Sequence, residues 1–287
     1  MPVSQDIINL YDAFTHGQLS RRAFMERLTR LAGGAAAASA MLGVLANDYA
    51  RAALVAEDDA RLASASQTYT SLDGDVRAYV VWSKEGAKRP AVIVVHENRG
   101  LNPHIKDVAR RIALEGFIAI APDLLTKEGG TPEDEDKARD LVAKLDQKAA
   151  TGRLIGAVDF AKSIPESTGK TGAVGFCWGG GMVNQMAVHA PDLDAAVAYY
   201  GMQPTADRVP DIKAPLLLHY AGKDERIDAG IPDFEKSLKA AGKSYELFMY
   251  EGAQHAFNND TNAARYDKAA AELAWGRTVA FLKKQLA

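Results

Sequence analysis

The sequence predicts an α/β fold with a mostly parallel central sheet and helices on both faces. Short apolar runs alternate with helical patterns from Val76 onward, and the runs at 91–95 and 117–121 are apolar at every position, as expected for strands covered on both faces. The chain has 287 residues, of which 47% are hydrophobic and 25% charged. This composition is sufficient for one sizeable core.

Seven apolar segments are predicted strands, and the segments between and after them are predicted helices. The predicted strands are 76–82, 91–95, 117–121, 173–176, 195–200, 216–220 and 245–250. The predicted helices are 104–115, 133–147, 152–162, 180–190, 231–241 and 263–285. Alternation at 77–80 suits an edge strand. The acidic run at 133–136 is predicted to begin a helix, because carboxylates favour the positive end of the helix dipole.

Charge and cysteine content limit the partners and cofactors of this chain. Thirty-four basic and 37 acidic residues give a net charge of -3, so no overall positive field attracts nucleic acid or an anionic membrane. A single cysteine, Cys177, excludes an intramolecular disulfide and any multi-cysteine metal cluster. We therefore expect a small-molecule partner and no nucleic acid, and the sequence implies no metal or organic cofactor.

The first 52 residues have two alternative interpretations. Paired arginines at 20–25, sixteen uncharged residues at 31–46 and a small-x-small pattern at 50–52 are typical of a twin-arginine export signal. This interpretation predicts a periplasmic or exported protein, and the uncharged stretch is too short for stable membrane insertion. Alternatively, the apolar spacing over 4–15 predicts an amphipathic helix packed on the body of a cytoplasmic protein. Residues 1–52 are thus a leader or a helical arm, and 53–287 form the main domain.

A glycine-rich turn at 175–181 predicts a nucleophile. It follows an apolar strand and precedes a helical stretch, the context required of a G-x-nucleophile-x-G motif. Such a strained turn requires flanking residues without Cβ, here Gly175 and Gly179. The helix N-terminus favours the thiolate of Cys177, and the N–H of Trp178 is placed to bind an oxyanion. The alternative is an inert buried cysteine in a packing turn.

A thiol nucleophile needs a base and a group that orients the base. Asp224 follows the strand at 216–220, and His255 lies in a loop after the next strand. Their order along the chain, nucleophile then acid then histidine, predicts a Cys177–His255–Asp224 triad. His219 is a competing base, but its place inside an apolar strand favours a packing role.

These motifs resemble those of the dienelactone hydrolase family, also called carboxymethylenebutenolidases, which are cysteine-nucleophile members of the α/β-hydrolase fold. The resemblance covers about residues 68 to 287. It is carried by Gly-x-Cys-x-Gly-Gly at 175–180, Gly-x-Asp at 222–224, Gly-Ala-x-His-x-Phe at 252–257 and Val-His-Glu-Asn-Arg-Gly at 95–100. It implies an α/β-hydrolase fold and hydrolysis of small carboxylic esters or lactones through an acyl-enzyme.

The resemblance also implies roles for residues around the triad. Glu97 would contact the resting cysteine and take part in its activation. The backbone N–H of Asn98 would complete the oxyanion hole with that of Trp178, and Tyr199 and Tyr200 would line the substrate pocket.

Two further positions concern the carboxylate clamp of the family's lactone hydrolases. Arg139 matches the first of its two arginines, whereas Asn259 stands where the second is expected. Asparagine does not replace the charge of a bidentate arginine, so Arg99 and Arg265 are candidates to compensate. The alternative for Arg139 is a solvated helix residue.

Two other classes of function compete with a hydrolase. A thiol redox protein could use Cys177 against peroxide, although the chain has no resolving cysteine. A non-catalytic binding module on the same fold would not need His255, Asp224 and Glu97 at matching strand ends. In each case we expect a monomer or homodimer.

Overall fold

The computed structural model describes residues 3–49 and 54–287, and a mixed sheet of eight strands forms its centre. The strands are β1 (Leu62–Ser71), β2 (Gly74–Ser83), β3 (Arg89–Val95), β4 (Ile118–Pro122), β5 (Ser167–Phe176), β6 (Ala195–Tyr199), β7 (Leu216–Lys223) and β8 (Tyr245–Gln254). Their spatial order is β1-β2-β4-β3-β5-β6-β7-β8. All neighbours from β4 to β8 pair in parallel, which confirms the predicted mostly parallel sheet.

Helices precede the sheet and connect its strands. They are α1 (Gln5–Thr15), α2 (Arg21–Ala32), α3 (Ala35–Leu45), α4 (Pro103–Leu114), α5 (Glu135–Val142), α6 (Gln147–Ser163), α7 (Trp178–His189), α8 (Glu225–Asp228), α9 (Ile231–Ala240) and α10 (Lys268–Gln285). One apolar cluster joins the sheet to α6, α7 and α9, and a second joins the opposite face to α4 and α10. Both faces are therefore covered, as predicted.

The prediction of an edge strand at 77–80 was wrong. Strand β1 pairs antiparallel with β2 along ten residues and forms the edge itself, so β2 lies between β1 and β4. The sequence of β1 is mainly alanine, serine and threonine, and most of its side chains are at least partly exposed. Backbone pairing defines this strand, and no apolar run marks it in the sequence.

Aspartate caps correct two of the predicted helix boundaries. The predicted helix at 133–147 ends early, and a second helix begins after Asp146, whose side chain accepts a hydrogen bond from the backbone of Ala149. The last helix likewise begins at Lys268, after the cap Asp267, five residues later than predicted. The acidic run does begin a helix, because α5 carries Glu135 and Asp136 in its first turn.

Residues 3–49, which we call the arm, form three helices that pack on one another and on the body. The predicted amphipathic helix is present as α1. The arm has its own apolar cluster, made of Ile7, Leu10, Tyr11, Phe14, Phe24, Leu28, Ala38 and Leu45. Side chains and carbonyls of the arm also bond the body, as in the hydrogen bond from Asn262 Nδ2 to the carbonyl of Leu45 at 2.7 Å.

In the described part of the chain, no single helix is both long and apolar enough to cross a bilayer. Only α2 and α3 taken together reach that length, and they are bent by 110° where they meet. The predicted cleavage pattern at 50–52 lies outside the described residues. Export and the domain boundary at residue 52 remain predictions.

Candidate active site

The turn after β5 holds Cys177 in a strained conformation. Its φ of 55° and ψ of -119° are unusual for a residue with a side chain, and α7 begins at the next residue. A Cβ atom added at Gly175 would lie 2.2 Å from the carbonyl oxygen of Gly179. A Cβ atom added at Gly179 would lie 2.4 Å from the carbonyl oxygen of His96. Both glycines are therefore required for the close approach of β5, α7 and the loop after β3.

The glycines of this turn provide a stability test. We expect Gly179→Ala to lower the free energy of unfolding by roughly 1–3 kcal/mol, because the backbone must move to admit the methyl group. The matched control is Gly276→Ala in α10, where a new Cβ meets nothing within 4 Å. That change should raise stability by about 0.5–1 kcal/mol through helix propensity. Urea unfolding measures both, and equal stability of Gly179→Ala and wild type would contradict the clash.

Asp224 and His255 meet beside this turn. Asp224 directly follows β7, and its Oδ2 lies 2.5 Å from Nδ1 of His255. Both side chains are buried. Burial acts to lower the pKa of His255, but the charges of Asp224, Cys177 and Asp12 outweigh it and raise that pKa well above its usual value. The other ring nitrogen, Nε2, is buried without a hydrogen-bond partner among the residues described.

A second histidine, His16, contacts the sulfur of Cys177 and was not predicted. Its Nε2 lies 3.3 Å from Sγ of Cys177, and its ring meets the ring of His255 edge-on at 4.8 Å. The amphipathic pattern of α1 indicates that the helix packs on the body. No spacing in the sequence indicates which surface receives the residue that follows the helix.

The two histidines set the ionisation of the thiol. Burial raises the pKa of Cys177, but the charges of His255 and His16, together with the hydrogen bond from His16, outweigh burial and bring that pKa to about 6. A cysteine of this kind is a thiolate at neutral pH, and the thiolate is the nucleophilic form.

The thiolate absorbs in the ultraviolet, so its pKa can be measured directly. We expect the absorbance difference between wild type and Cys177→Ala to appear with a midpoint near pH 6 and to be lost below it. His16→Gln removes one of the two positive neighbours, so the midpoint should rise. A wild-type midpoint at the ordinary cysteine value of about 8.5 would contradict the arrangement.

Among the described residues Glu97 makes no hydrogen bond to the thiol of Cys177, although both residues line one small cavity. Its Oε2 accepts a hydrogen bond of 2.7 Å from Nδ2 of Asn259, and both side chains are buried. Asn259 therefore holds Glu97 in place. Within the described residues, the side-chain hydrogen bond to Sγ of Cys177 comes from Nε2 of His16.

The two predicted oxyanion donors belong to segments next to Cys177: Trp178 follows it in the chain, and Asn98 lines the same small cavity. Trp178 is the first residue of α7, so its N–H has no partner within the helix. Asn98 follows β3 by three positions, and its side-chain Nδ2 donates to the carbonyl of Thr15 at 2.8 Å. The arm thus contacts the loop that carries one predicted donor.

The two predicted pocket tyrosines point in different directions. The hydroxyl of Tyr199 lies 2.6 Å from Oγ1 of Thr278 in α10, within the core. A substrate-pocket role does not fit this position, because side chains of a strand alternate between the two faces. Tyr200, with a φ of 37°, places its ring 5.0 Å from that of His255.

His219 is a buried packing residue, in agreement with its predicted role. Its ring nitrogens lie 2.9 Å from the hydroxyl of Tyr250 and 3.1 Å from that of Thr278. Burial, together with the charge of Arg277, lowers the pKa of His219 to about 3, so it is neutral at physiological pH.

Arg139 is engaged by the arm and by its own helix. Its guanidinium lies 4.4 Å from the ring centre of Phe14, and its Nη1 lies 2.7 Å from Oδ1 of Asp136. Only 11% of the side chain is exposed, so the alternative of a solvated residue was wrong.

Arg99 and Arg265 also face the arm. Nη2 of Arg99 donates to the hydroxyl of Tyr11 at 3.0 Å, and Nη1 of Arg265 lies 3.6 Å from Oδ1 of Asp12. Both arginines are buried, and α1 supplies a phenol and a carboxylate to them.

The arm leaves little space beside Cys177. The cavity at Cys177, bounded on the arm side by Thr15 and His16, has a volume of about 10 Å³, which is about what one water molecule needs. A larger cavity of about 530 Å³ between α1 and the loop after β7 borders Asp224 and His255 but does not reach Cys177. The described conformation is therefore closed to substrate.

A strained cysteine turn after β5, an aspartate after β7 and a histidine after β8 of a mostly parallel sheet have the order typical of the α/β-hydrolase class. The chain belongs to the dienelactone hydrolase family, whose sequence model matches residues 76–286. Its family makes it a hydrolase. A second family, described as YqhI-like, matches residues 2–33, within the N-terminal segment.

Individual relatives agree with the family. A protein of Saccharolobus solfataricus, provisionally named a carboxymethylenebutenolidase, is 36% identical over 75% of this chain and 96% of its own length. A protein of Escherichia coli K12 with the same name is 36% identical over 68% of this chain and 77% of its own length. The crystal structure of a provisional dienelactone hydrolase from Klebsiella pneumoniae superposes with a TM-score of 0.71 and 31% identity, covering 78% of this chain and 99% of its own.

Proposed function

We propose that this hydrolase cleaves small carboxylic esters or lactones by transferring the acyl group to Cys177. One observation carries the proposal: a thiol on a strained turn lies within 4.8 Å of a histidine whose opposite nitrogen is held by a buried aspartate at 2.5 Å. The low thiol pKa, about 6, agrees with a nucleophile poised as thiolate.

In this mechanism the thiolate of Cys177 adds to the substrate carbonyl. The N–H groups of Asn98 and Trp178 stabilise the oxyanion. The imidazolium of His255 then donates its Nε2 proton to the leaving alkoxide as the carbon–oxygen bond breaks, which leaves a thioester. Neutral His255 next removes a proton from water, the hydroxide attacks the thioester, and the thiolate departs with release of the acid. Asp224 keeps the Nδ1 proton of His255 in place throughout.

Two buried arginines favour a substrate that carries a carboxylate. Arg99 and Arg265 are buried beside the nucleophile, and in the closed conformation they face the phenol of Tyr11 and the carboxylate of Asp12. A substrate carboxylate that replaced these arm groups would meet two guanidinium groups, of which that of Arg99 also pairs through Nε with Glu135 at 3.0 Å. Arg99 and Arg265 would supply the positive charge that is missing at Asn259, where the family's lactone hydrolases have an arginine.

Trapping the acyl-enzyme tests the proposal. The full chain is mixed with p-nitrophenyl acetate, quenched in acid after a short time, digested and analysed by mass spectrometry. We expect one acetyl group on the peptide that contains Cys177, which then disappears as deacylation proceeds. Heat-denatured protein is the control for nonspecific acetylation.

Two outcomes would contradict the mechanism. Release of p-nitrophenol without a thioester on Cys177 would indicate another nucleophile. No acylation, together with rapid oxidation of Cys177 by peroxide, would favour the redox alternative.

A further inference from the structure

Three metal-ligating side chains converge where the arm meets the nucleophile turn. The sulfur of Cys177 and one nitrogen each of His16 and His255 all lie within 4.8 Å of one another, and the shortest of these separations is 3.3 Å. Tetrahedral Zn²⁺ with ordinary bond lengths separates a sulfur and a nitrogen ligand by about 3.6 Å. Side-chain shifts of about 1 Å would therefore complete such a site.

In each histidine Nδ1 bonds an oxygen acceptor, so Nε2, which in His16 contacts the thiol sulfur at 3.3 Å, is the nitrogen that a metal would bind. Nδ1 of His16 lies 2.8 Å from the carbonyl of Asp12, and Nδ1 of His255 lies 2.5 Å from the carboxylate of Asp224. Both partners only accept, so Nδ1 keeps its proton, and loss of the Nε2 proton from each imidazolium leaves the lone pair of Nε2 for the metal. Metal-ligating histidines typically donate their second nitrogen to an oxygen in this way.

The free nitrogen of His255 is an independent sign of a ligand. His255 is 4% exposed, and its Nε2 has no hydrogen-bond partner in the part of the chain that is described. A buried polar atom without a partner is costly, and a cation at the centre of the three side chains would satisfy it.

The donor set identifies the class of metal. One thiolate and two imidazoles suit Zn²⁺, and related borderline-soft cations such as Co²⁺, better than Mg²⁺ or Ca²⁺. The carboxylates of Asp12 and Asp224 lie behind the two histidines and offset the added positive charge. The cavity of about 10 Å³ beside Cys177 provides room for one water as a fourth ligand.

We propose that Cys177, His16 and His255 form a zinc site that holds the arm over the nucleophile. The body supplies two ligands and the arm supplies the third, so full affinity requires the closed conformation. The metal replaces the hydrogen bond between His16 and the thiolate, and the Nε2 protons of His16 and His255 go to solvent as both rings become neutral ligands. Since the metal occupies the thiolate, bound Zn²⁺ keeps the hydrolase inactive until it is removed.

Cobalt substitution tests the site without any substrate. The full chain is freed of metal with EDTA, dialysed and titrated with Co²⁺. We expect one Co²⁺ per chain, with visible bands of tetrahedral geometry, a near-ultraviolet thiolate-to-cobalt band, and displacement by Zn²⁺. Cys177→Ala should lose the thiolate band. His16→Ala should weaken binding by more than about tenfold, because loss of even an outer-shell partner costs that much.

A matched histidine and a second substitution control for nonspecific effects. His189→Ala, an exposed position in α7, should leave the titration unchanged. His16→Gln keeps the size of the side chain and should weaken binding as His16→Ala does. Absence of the thiolate band in wild type, or equal affinity in both His16 variants and wild type, would overturn the proposal.

The experiments distinguish failure of the proposed zinc site from failure of the proposed hydrolysis. A chain that forms the thioester on Cys177 but binds no Co²⁺ would disprove the metal site alone. A chain that binds Co²⁺ through Cys177 and forms no thioester would disprove the hydrolase mechanism alone.

Discussion

Cys177→Ala is expected to reduce kcat/KM for a small aryl ester by roughly 10³- to 10⁶-fold, since the proposed mechanism forms the acyl-enzyme on this thiol. Asp224→Asn should reduce it by about 10⁴-fold, because an amide opposite Nδ1 of His255 favours the wrong tautomer. Initial rates of p-nitrophenol release measure both. Asp233→Asn, at an exposed position in α9, is the control and should stay within about twofold of wild type.

The activities of the two variants test different parts of the predicted triad. Ester hydrolysis retained by Cys177→Ala would place the nucleophile elsewhere. Near-normal activity in Asp224→Asn, with loss in Cys177→Ala, would mean that the hydrogen bond of 2.5 Å does not orient the base. Both variants should be checked for the wild-type unfolding midpoint before rates are compared.

Separating the arm from the body is expected to raise kcat/KM by at least about tenfold. The closed cavity beside Cys177, about 10 Å³, has no room for an ester, so turnover requires the arm to leave. A covalently attached arm has an effective concentration in the millimolar range. Cutting the connection in a micromolar assay therefore shifts the docking equilibrium by up to about a thousandfold.

A protease recognition sequence inserted at 50–53 allows the cut to be made after folding. The uncut insertion protein and protease-treated wild type are the controls, and gel filtration verifies that the arm has dissociated. Equal or lower activity of the separated body would show that the arm, through His16, assists the reaction. Export with cleavage at 50–52, which remains a prediction, would release the arm in the same way.

The sequence by itself determined the parts of this protein that depend on local pattern. Continuous apolar runs predicted the central strands because both faces of a parallel sheet are buried. Gly175 and Gly179 predicted the tight turn around Cys177 because a Cβ at either position would collide with backbone. Asp224 and His255 follow strands of one parallel sheet, and the carboxyl ends of such strands share an edge.

Only the tertiary structure decided the features that depend on pairing or docking between distant segments. Strand β1 carries no apolar run and exists through its hydrogen bonds to β2. The bond between Glu97 and Asn259 joins positions 162 apart, and the contact of His16 with Cys177 joins positions 161 apart. Periodicity reports which face of a helix is apolar. It carries no information on which surface receives that face, because docking depends on the complementary shape and charge of the assembled fold.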